Sequence, residues 1–260
     1  LRGVQGLMSA DFGLDRQAFE DYVDTVMAGP DAAGLQSVAF AQLVPRSGLV
    51  DHVGHQRMTG RSDYQVRPPG ERAFYSPIVL VAPDSAANRQ VIGYDSISEP
   101  TRRAAMLQAR DSGNATLTAL LQLRVDAGAG SKPGCLLYLP VYERGASVAT
   151  VAERRAHGIG WVRAAFRVGD LMSTLYGEQG PGLVVRVYDG ADTSDASLLY
   201  RSATSSDLGA DTPEALRKAR FQAREYVGLA GHTWTVQLSS LPEFERVHDR
   251  NAPTVILVPG

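Results

Sequence analysis

The chain has 260 residues, 44% of them apolar, with 26 basic against 28 acidic side chains and a formal net charge of −2 at pH 7. That is the balance of a globular chain long enough for one large domain or two small ones, and it excludes a polybasic nucleic-acid binder while leaving room for a local basic pocket. No apolar run reaches the about 18 residues a membrane span needs, and the single cysteine, Cys135, can build neither an internal disulfide nor a thiolate metal site.

Leu1, Val4, Leu7 and Met8 recur at helical spacing and predict an amphipathic helix from the first residue. A second helix is marked by Phe19, Tyr22, Val23, Val26 and Met27, with Asp15 as its cap and Gly29-Pro30 as its end. Leu35 to Val44 reads as a strand and Pro45 to Met58 as a polar helix. A short strand at Tyr64 to Val66 precedes the turn Pro68-Pro69-Gly70. Phe74 to Val81 is strand-like, with Pro77 placing it at an edge or a bulge. A helix then starts at Ser98-Glu99-Pro100. Ser98 offers the capping oxygen, Glu99 suits the first turn, and Pro100 has no N–H to lose. Gly113 stops that helix after Ser112. Ala115 to Leu123 and Gly134 to Tyr142 read as strands, joined by the turn-rich link Ala127 to Pro133.

A new unit is expected from about residue 146. It has helices at Val148 to Ala156 and Gly169 to Tyr176, and strands at Gly160 to Phe166, Leu183 to Asp189, Leu198 to Ser202, Phe221 to Val227 and His232 to Leu238. Neighbouring strands interrupted by helices predict α+β, not a doubly wound sheet. The apolar stretch Thr254 to Val258 reads either as a last strand or as the stub of a chain cut before a transmembrane helix.

No dinucleotide, P-loop, nucleophile-elbow or zincin motif is present. His52 and His55, with Asp51, have helical spacing that suits a metal, but a solvated helix face explains them more simply. Cys135 lies in an apolar strand, as a core thiol does. The strongest chemical signal is Arg102 and Arg103 in the first turn of the 98–112 helix, where cations oppose the helix dipole. An inward Arg102 there can grip a carboxylate bidentately; otherwise it pairs with Asp95 or Glu99, or faces water. Tyr75, Tyr138 and Trp161 are core-type aromatics whose polar ends also suit a pocket wall.

The segment FYSPIVLVAPDSAANRQVIGYDSISEPTRRAAMLQARDSGNATLTALLQL (Phe74 to Leu123) resembles the heart of the CHASE sensor domains. So do GCLLYLPVY (Gly134 to Tyr142), AERRAHGIGWVRAAFRVGDLM (Ala152 to Met172) and VVRVYDG (Val184 to Gly190). The opening, Leu1 to Val23, resembles the family's stalk and first helix. The blocks keep the family's order and spacing, so the resemblance covers essentially the whole chain.

The resemblance implies a long N-terminal helix followed by two PAS-like α+β subdomains in tandem. The expected division is a helical stalk over 1–30, a membrane-distal ligand-binding subdomain over 31–145, a membrane-proximal subdomain over 146–250 and a juxtamembrane tail over 251–260. It also implies an extracytoplasmic, periplasmic sensor between two transmembrane helices that lie outside this chain, itself not catalytic. Such a sensor is a homodimer that signals to a cytoplasmic histidine kinase, or alternatively to a diguanylate cyclase. Its protomers would meet through Leu1, Val4, Leu7 and Met8, the alternative being that these pack against their own domain. No cofactor, metal or nucleic acid is expected; the partner is a small-molecule ligand. In plant members, which bind cytokinins, a pocket aspartate falls at about Arg102 of this chain. Two pocket threonines fall at Thr118 and Tyr138, and a pocket tyrosine at Trp161. With Asp95 and Tyr75 these form the expected ligand set. The bulkier wall and the reversed anchor charge speak against an adenine-type ligand and for a small anion. A pocket filled by Tyr138 and Trp161, leaving a ligand-free dimerisation or partner-binding module, is the rival expectation.

Overall fold

In a computed structural model, which describes residues 1–10, 16–29, 32, 34–123, 133–175, 182–202 and 218–248, the apolar spacing at the amino terminus does form helices. α1 (Arg2–Ala10) and α2 (Arg16–Met27) turn Val4, Met8, Phe19 and Val23 into one core with Val38, Phe40, Val79, Val141 and Val162. Residues four apart share a helix face, so each helix delivers two of these side chains to the same sheet. Val4 and Met8, expected at a protomer contact, are therefore packed in the chain's own core. Within the expected stalk, the described residues form these two helices. Asp15, Pro30, the 127–132 link, Tyr176 and the 251–260 tail lie outside the described residues.

The first unit comprises Leu1–Leu171 with Leu229–His232. Its sheet has the order β4-β1-β8-β7-β5, where β1 is Leu35–Gln42, β4 Ile78–Ala82, β5 Thr116–Leu117, β7 Pro133–Tyr142 and β8 Gly158–Arg167. A further short strand, β6 (Leu121–Gln122), also pairs with β7, and every pair in this sheet is antiparallel. β8 thus lies centrally in the first sheet. The first unit runs to Leu171, whereas the sequence reading opens a new subdomain near residue 146. Pairing with β1 on one side and β7 on the other is what holds β8 in the first unit.

Side chains alternate between the two faces of a strand. On one face Phe40, Val79 and Val162 meet α1 and α2. On the other, α5 (Pro100–Ser112) sets Ala105, Met106 and Ala109 against Leu136, Tyr138, Trp161 and Ala165. The connection before α5, which contains α4 (Ala86–Arg89), sets Val91 and Tyr94 against Ala39, Ala41, Ile78 and Val81.

Several local expectations change. The strand expected over 35–44 is β1 followed by β2 (Val44–Pro45), which pairs with β3 (Phe74–Tyr75) in a separate ribbon. Residues 64–66 form no strand; Arg67 makes an isolated bridge to Tyr94 instead. Pro77 interrupts the 74–81 stretch, and its second part, β4, is an edge strand. The polar helix over 45–58 is α3 (Leu49–Met58) after a 3-10 turn, but its His52 is not solvated. It is buried with Nε2 2.9 Å from Tyr64 Oη, and burial pulls its pKa down to about 4.

α6 (Val151–Ala156) is tied to α5 by Asp111. Its carboxylate accepts from Arg155 Nε at 3.1 Å and from Arg110 Nε at 2.9 Å. The Arg155 hydrogen bonds, aided by Arg110, hold the Asp111 pKa at about 2, below its ordinary 3.8. A depressed carboxyl pKa contributes stability above the unfolded value and loses it as pH falls through the folded one. The gap in melting temperature between wild type and Asp111→Asn should therefore close as pH falls from 3.8 to about 2. Thermal melts across that window check this; a constant gap would refute it.

The second unit comprises Met172–Gly228 with Thr233–Gly260. Its described sheet has the order β10-β9-β12-β11, from β9 (Leu183–Asp189), β10 (Leu198–Arg201), β11 (Gln222–Leu229) and β12 (His232–Ser240). Thr235 Oγ1 donates to Gly190 O at 2.6 Å, fixing the β9 end. Among the described residues, α7 (Val168–Leu175) is followed by α8 (Pro242–His248), which is absent from the sequence reading. Its signals are Pro242 at the first helical position and Glu243 in the first turn.

Candidate functional site

The polar centre of the first unit lies on the sheet face that α5 covers. Register places Val81, Ala39, Arg163, Tyr138 and Thr116 in one row across β4, β1, β8, β7 and β5. Directly paired residues share a face, so Arg163 and Tyr138 point the same way, towards α5 and the segment before it.

α5 brings Arg102 to this centre. Its cap is Glu99 and not Ser98. Glu99 takes an extended backbone, and its carboxylate accepts from Thr101 N and Arg102 N, each at 2.9 Å. Ser98 Oγ donates to Asp95 O at 2.6 Å, closing the preceding turn instead. Partial burial pushes the Glu99 pKa up, but those N–H groups and the Arg102 charge outweigh it and leave the carboxyl below its usual range. Arg102 is 3% exposed. It pairs with Glu99, Nε to Oε2 at 3.6 Å, lies 5.2 Å from the Tyr94 ring centre, and reaches Gln122 O at 3.4 Å. Arg102 is thus turned inward and paired with Glu99, one of the two carboxylate partners the sequence offered it. Arg103 turns back, donating from Nε to Ile97 O at 2.8 Å.

The other expected residues divide. Asp95 is fully buried; Oδ1 accepts from Ser76 N at 2.7 Å, and Oδ2 lies 3.3 Å from Arg72 Nη1. Burial pushes its pKa up against the pull of Ser76 N–H and Arg72. Tyr138 is fully buried, and burial pushes its pKa up. It is close enough to Ser96 to feel it, yet among the described residues neither hydroxyl has a hydrogen-bond partner. Trp161 packs in the same cluster, but its Nε1 is committed to Met106 O at 2.9 Å, a clamp between β8 and α5. Thr118 Oγ1 accepts from Leu136 N at 3.0 Å and so prolongs the β5–β7 ladder past the end of β5. Tyr75 Oη donates to Gly70 O at 3.0 Å, beneath Arg72, and serves the 70–75 loop. The fold therefore gathers Arg102, Tyr138 and Trp161 around one centre, while Asp95 is held by Ser76 N and Arg72, and Thr118 and Tyr75 hold backbone.

Sequence reasoning missed Arg163 and Tyr94. Arg163 is 3% exposed, and its Nε and Nη2 have no hydrogen-bond partner among the described residues. Burial and the neighbouring Arg102 charge, against Tyr138 and Tyr94, pull its pKa down to about 10, so it remains cationic at pH 7. A signal was present: Arg163 is the single charged residue in GWVRAAF, residues 160–166.

A mixed helix and sheet fold is what the structural comparisons also indicate. The chain is similar to an extracellular ligand-binding receptor from Desulfohalobium retbaense, with TM-score 0.52, 13% identity, and coverage of 92% of this chain and 36% of that one. It is also similar to the periplasmic sensory domain of a Campylobacter jejuni chemoreceptor, with TM-score 0.50, 8% identity, and coverage of 93% and 86%. The family model of the CHASE domain matches residues 13–200, and the chain belongs to that family of sensor modules. Among curated proteins it is 24% identical over 201 residues to the hybrid signal transduction histidine kinase A of Dictyostelium discoideum. That match covers 72% of this chain and spans 9% of the length of that kinase.

Proposed function

We propose that this chain is the extracytoplasmic, periplasmic sensing domain of a membrane-bound receptor histidine kinase, with its two sheets as PAS-like subdomains in tandem and the ligand held in the first. The observation that carries the reading is the burial of Arg102 at the start of α5, facing Tyr94 and Tyr138 inside the first unit. Surface stability does not require a guanidinium there; recognition of a small anionic molecule does. The kinase relative and the two sensory neighbours support the same role. A ligand at this centre shifts the packing of α5 on the sheet only by binding one arrangement better than the other. That differential is what a homodimeric receptor would pass to its transmembrane helices.

A thermal-shift screen of small carboxylates, amino acids and purines tests it, with Arg102→Ala as control. A compound at about 100 times its Kd adds about 2.7 kcal/mol of stability. We expect a stabilising compound whose effect Arg102→Ala abolishes. A hit unchanged in the variant would remove Arg102 from the site. No hit at all would favour the ligand-free partner-binding module, which the complete burial of Tyr138 and Trp161 supports.

A further inference from the structure

Arg163 sits in the middle of a central strand, where a side chain has no path along its stem to solvent. Two of its three nitrogens, Nε and Nη2, have no hydrogen-bond partner among the described residues; such buried unsatisfied donors are destabilising and rare in folded chains. The groups that act on its charge are Tyr138, Arg102 and Tyr94, one of them a second cation. No carboxylate is among them, and the two buried or half-buried carboxylates flanking the start of α5 are engaged elsewhere. Glu99 caps α5 and faces Arg102, and Asp95 is held by Ser76 N and Arg72. Among the described residues, Arg163 is therefore left without a carboxylate once Glu99 is matched to Arg102 and Asp95 to Arg72.

We propose that Arg163 and Arg102 together hold the carboxylate of a small apolar acid on the α5 face of the first sheet, with the Tyr138 hydroxyl as a further donor. A single carboxylate supplies the partner Arg163 lacks among the described residues, and its plane matches the guanidinium fork. The rest of the ligand meets apolar surface. Ala39, Ala41 and Ala165 are the small side chains around Arg163 on this face, and Trp161 and Tyr94 supply rings. α5 and the connection before it cover the site, so a ligand reaches Arg163 only as these elements part from the sheet. Binding and conformational shift are then the same event.

The inference rests on the sensing role proposed above, and the experiment separates the two. Melting temperatures of the 260-residue chain are measured with acetate, propionate, benzoate and phenylacetate, with inorganic phosphate, and with uncharged methyl benzoate. At least one carboxylate should raise the melting temperature, and the ester should not. Arg163→Met, which removes the under-satisfied charge but nearly keeps the volume, should raise the ligand-free melting temperature by about 2–4 °C and abolish the carboxylate shift. Arg163→Lys, which keeps the charge but loses the fork, should fold and weaken the best carboxylate at least about tenfold by calorimetry. A lower ligand-free melting temperature in Arg163→Met together with an unchanged Kd in Arg163→Lys would make Arg163 structural and overturn the inference. Stabilisation by phosphate alone, or by none of the carboxylates, overturns it too. An uncharged compound whose stabilisation Arg102→Ala abolishes and Arg163→Met does not would leave the sensing role standing without it.

Discussion

Replacing Trp161 with alanine should cost about 3–5 kcal/mol, a large share of the about 5–15 kcal/mol by which a domain is stable. Trp161 is 1% exposed and packs against Ala105, Met106, Ala109 and Leu136. It stands opposite Ala41 and Pro140 in the sheet, and those neighbours are too small to close over the lost ring. The indole N–H bond to Met106 O disappears as well. Trp161→Phe keeps most of the apolar contact and loses mainly that bond, so it should cost far less, about 1 kcal/mol for the bond plus a smaller packing loss. Urea unfolding of both variants measures the difference. A loss under about 1 kcal/mol for the alanine variant would mean that Trp161 is a loosely packed wall and not the clamp between β8 and α5.

Met8→Asp should be at least as damaging. Met8 is buried in the core that α1 and α2 share with Phe40, Val79 and Val162. Losing a buried Met side chain costs about 2–5 kcal/mol, and an unpaired carboxylate in its place adds a further penalty. Circular dichroism and melting curves at several protein concentrations check this. We expect loss of the fold at every concentration. If Met8 instead formed a contact between protomers, the variant would fold as a monomer, and the wild-type melting temperature would rise with concentration. That second outcome would remove α1 from the domain's own core.

The helices were legible because their apolar spacing is strong. Phe19 and Val23, four apart, are the two residues of α2 that the core buries. The direction in which α1 faces was not legible, since an amphipathic helix seals equally well against its own sheet or another protomer. Strands were found where runs were long, as in β7 and β8, and misjudged where they are two residues long or interrupted by proline. Tyr64 to Val66 has strand-like residues, but the bridge that forms is the neighbouring Arg67 to Tyr94, set by long-range pairing. Glu99 displaced Ser98 as the cap because Ser98 Oγ is held by Asp95 O, a bond that the tight turn before α5 creates.

The candidate site divides the same way. The charge at Arg102 stood out because a cation at a helix start opposes the dipole. The resemblance added Thr118, Tyr138 and Trp161 by position. Position does not say that Thr118 would complete a ladder or that Trp161 Nε1 would be taken by Met106, since both partners come from distant segments.

By itself, the sequence determined the α+β character, the apolar faces and the family, because these follow from local periodicity and from blocks of residues in order. Only the tertiary structure decided that β8 belongs in the middle of the first sheet. That placement turns Arg163, an isolated charge in an apolar strand, into a buried cation beside Arg102. Which charges meet in a core depends on strand order and register, and those are set by pairings between residues far apart along the chain.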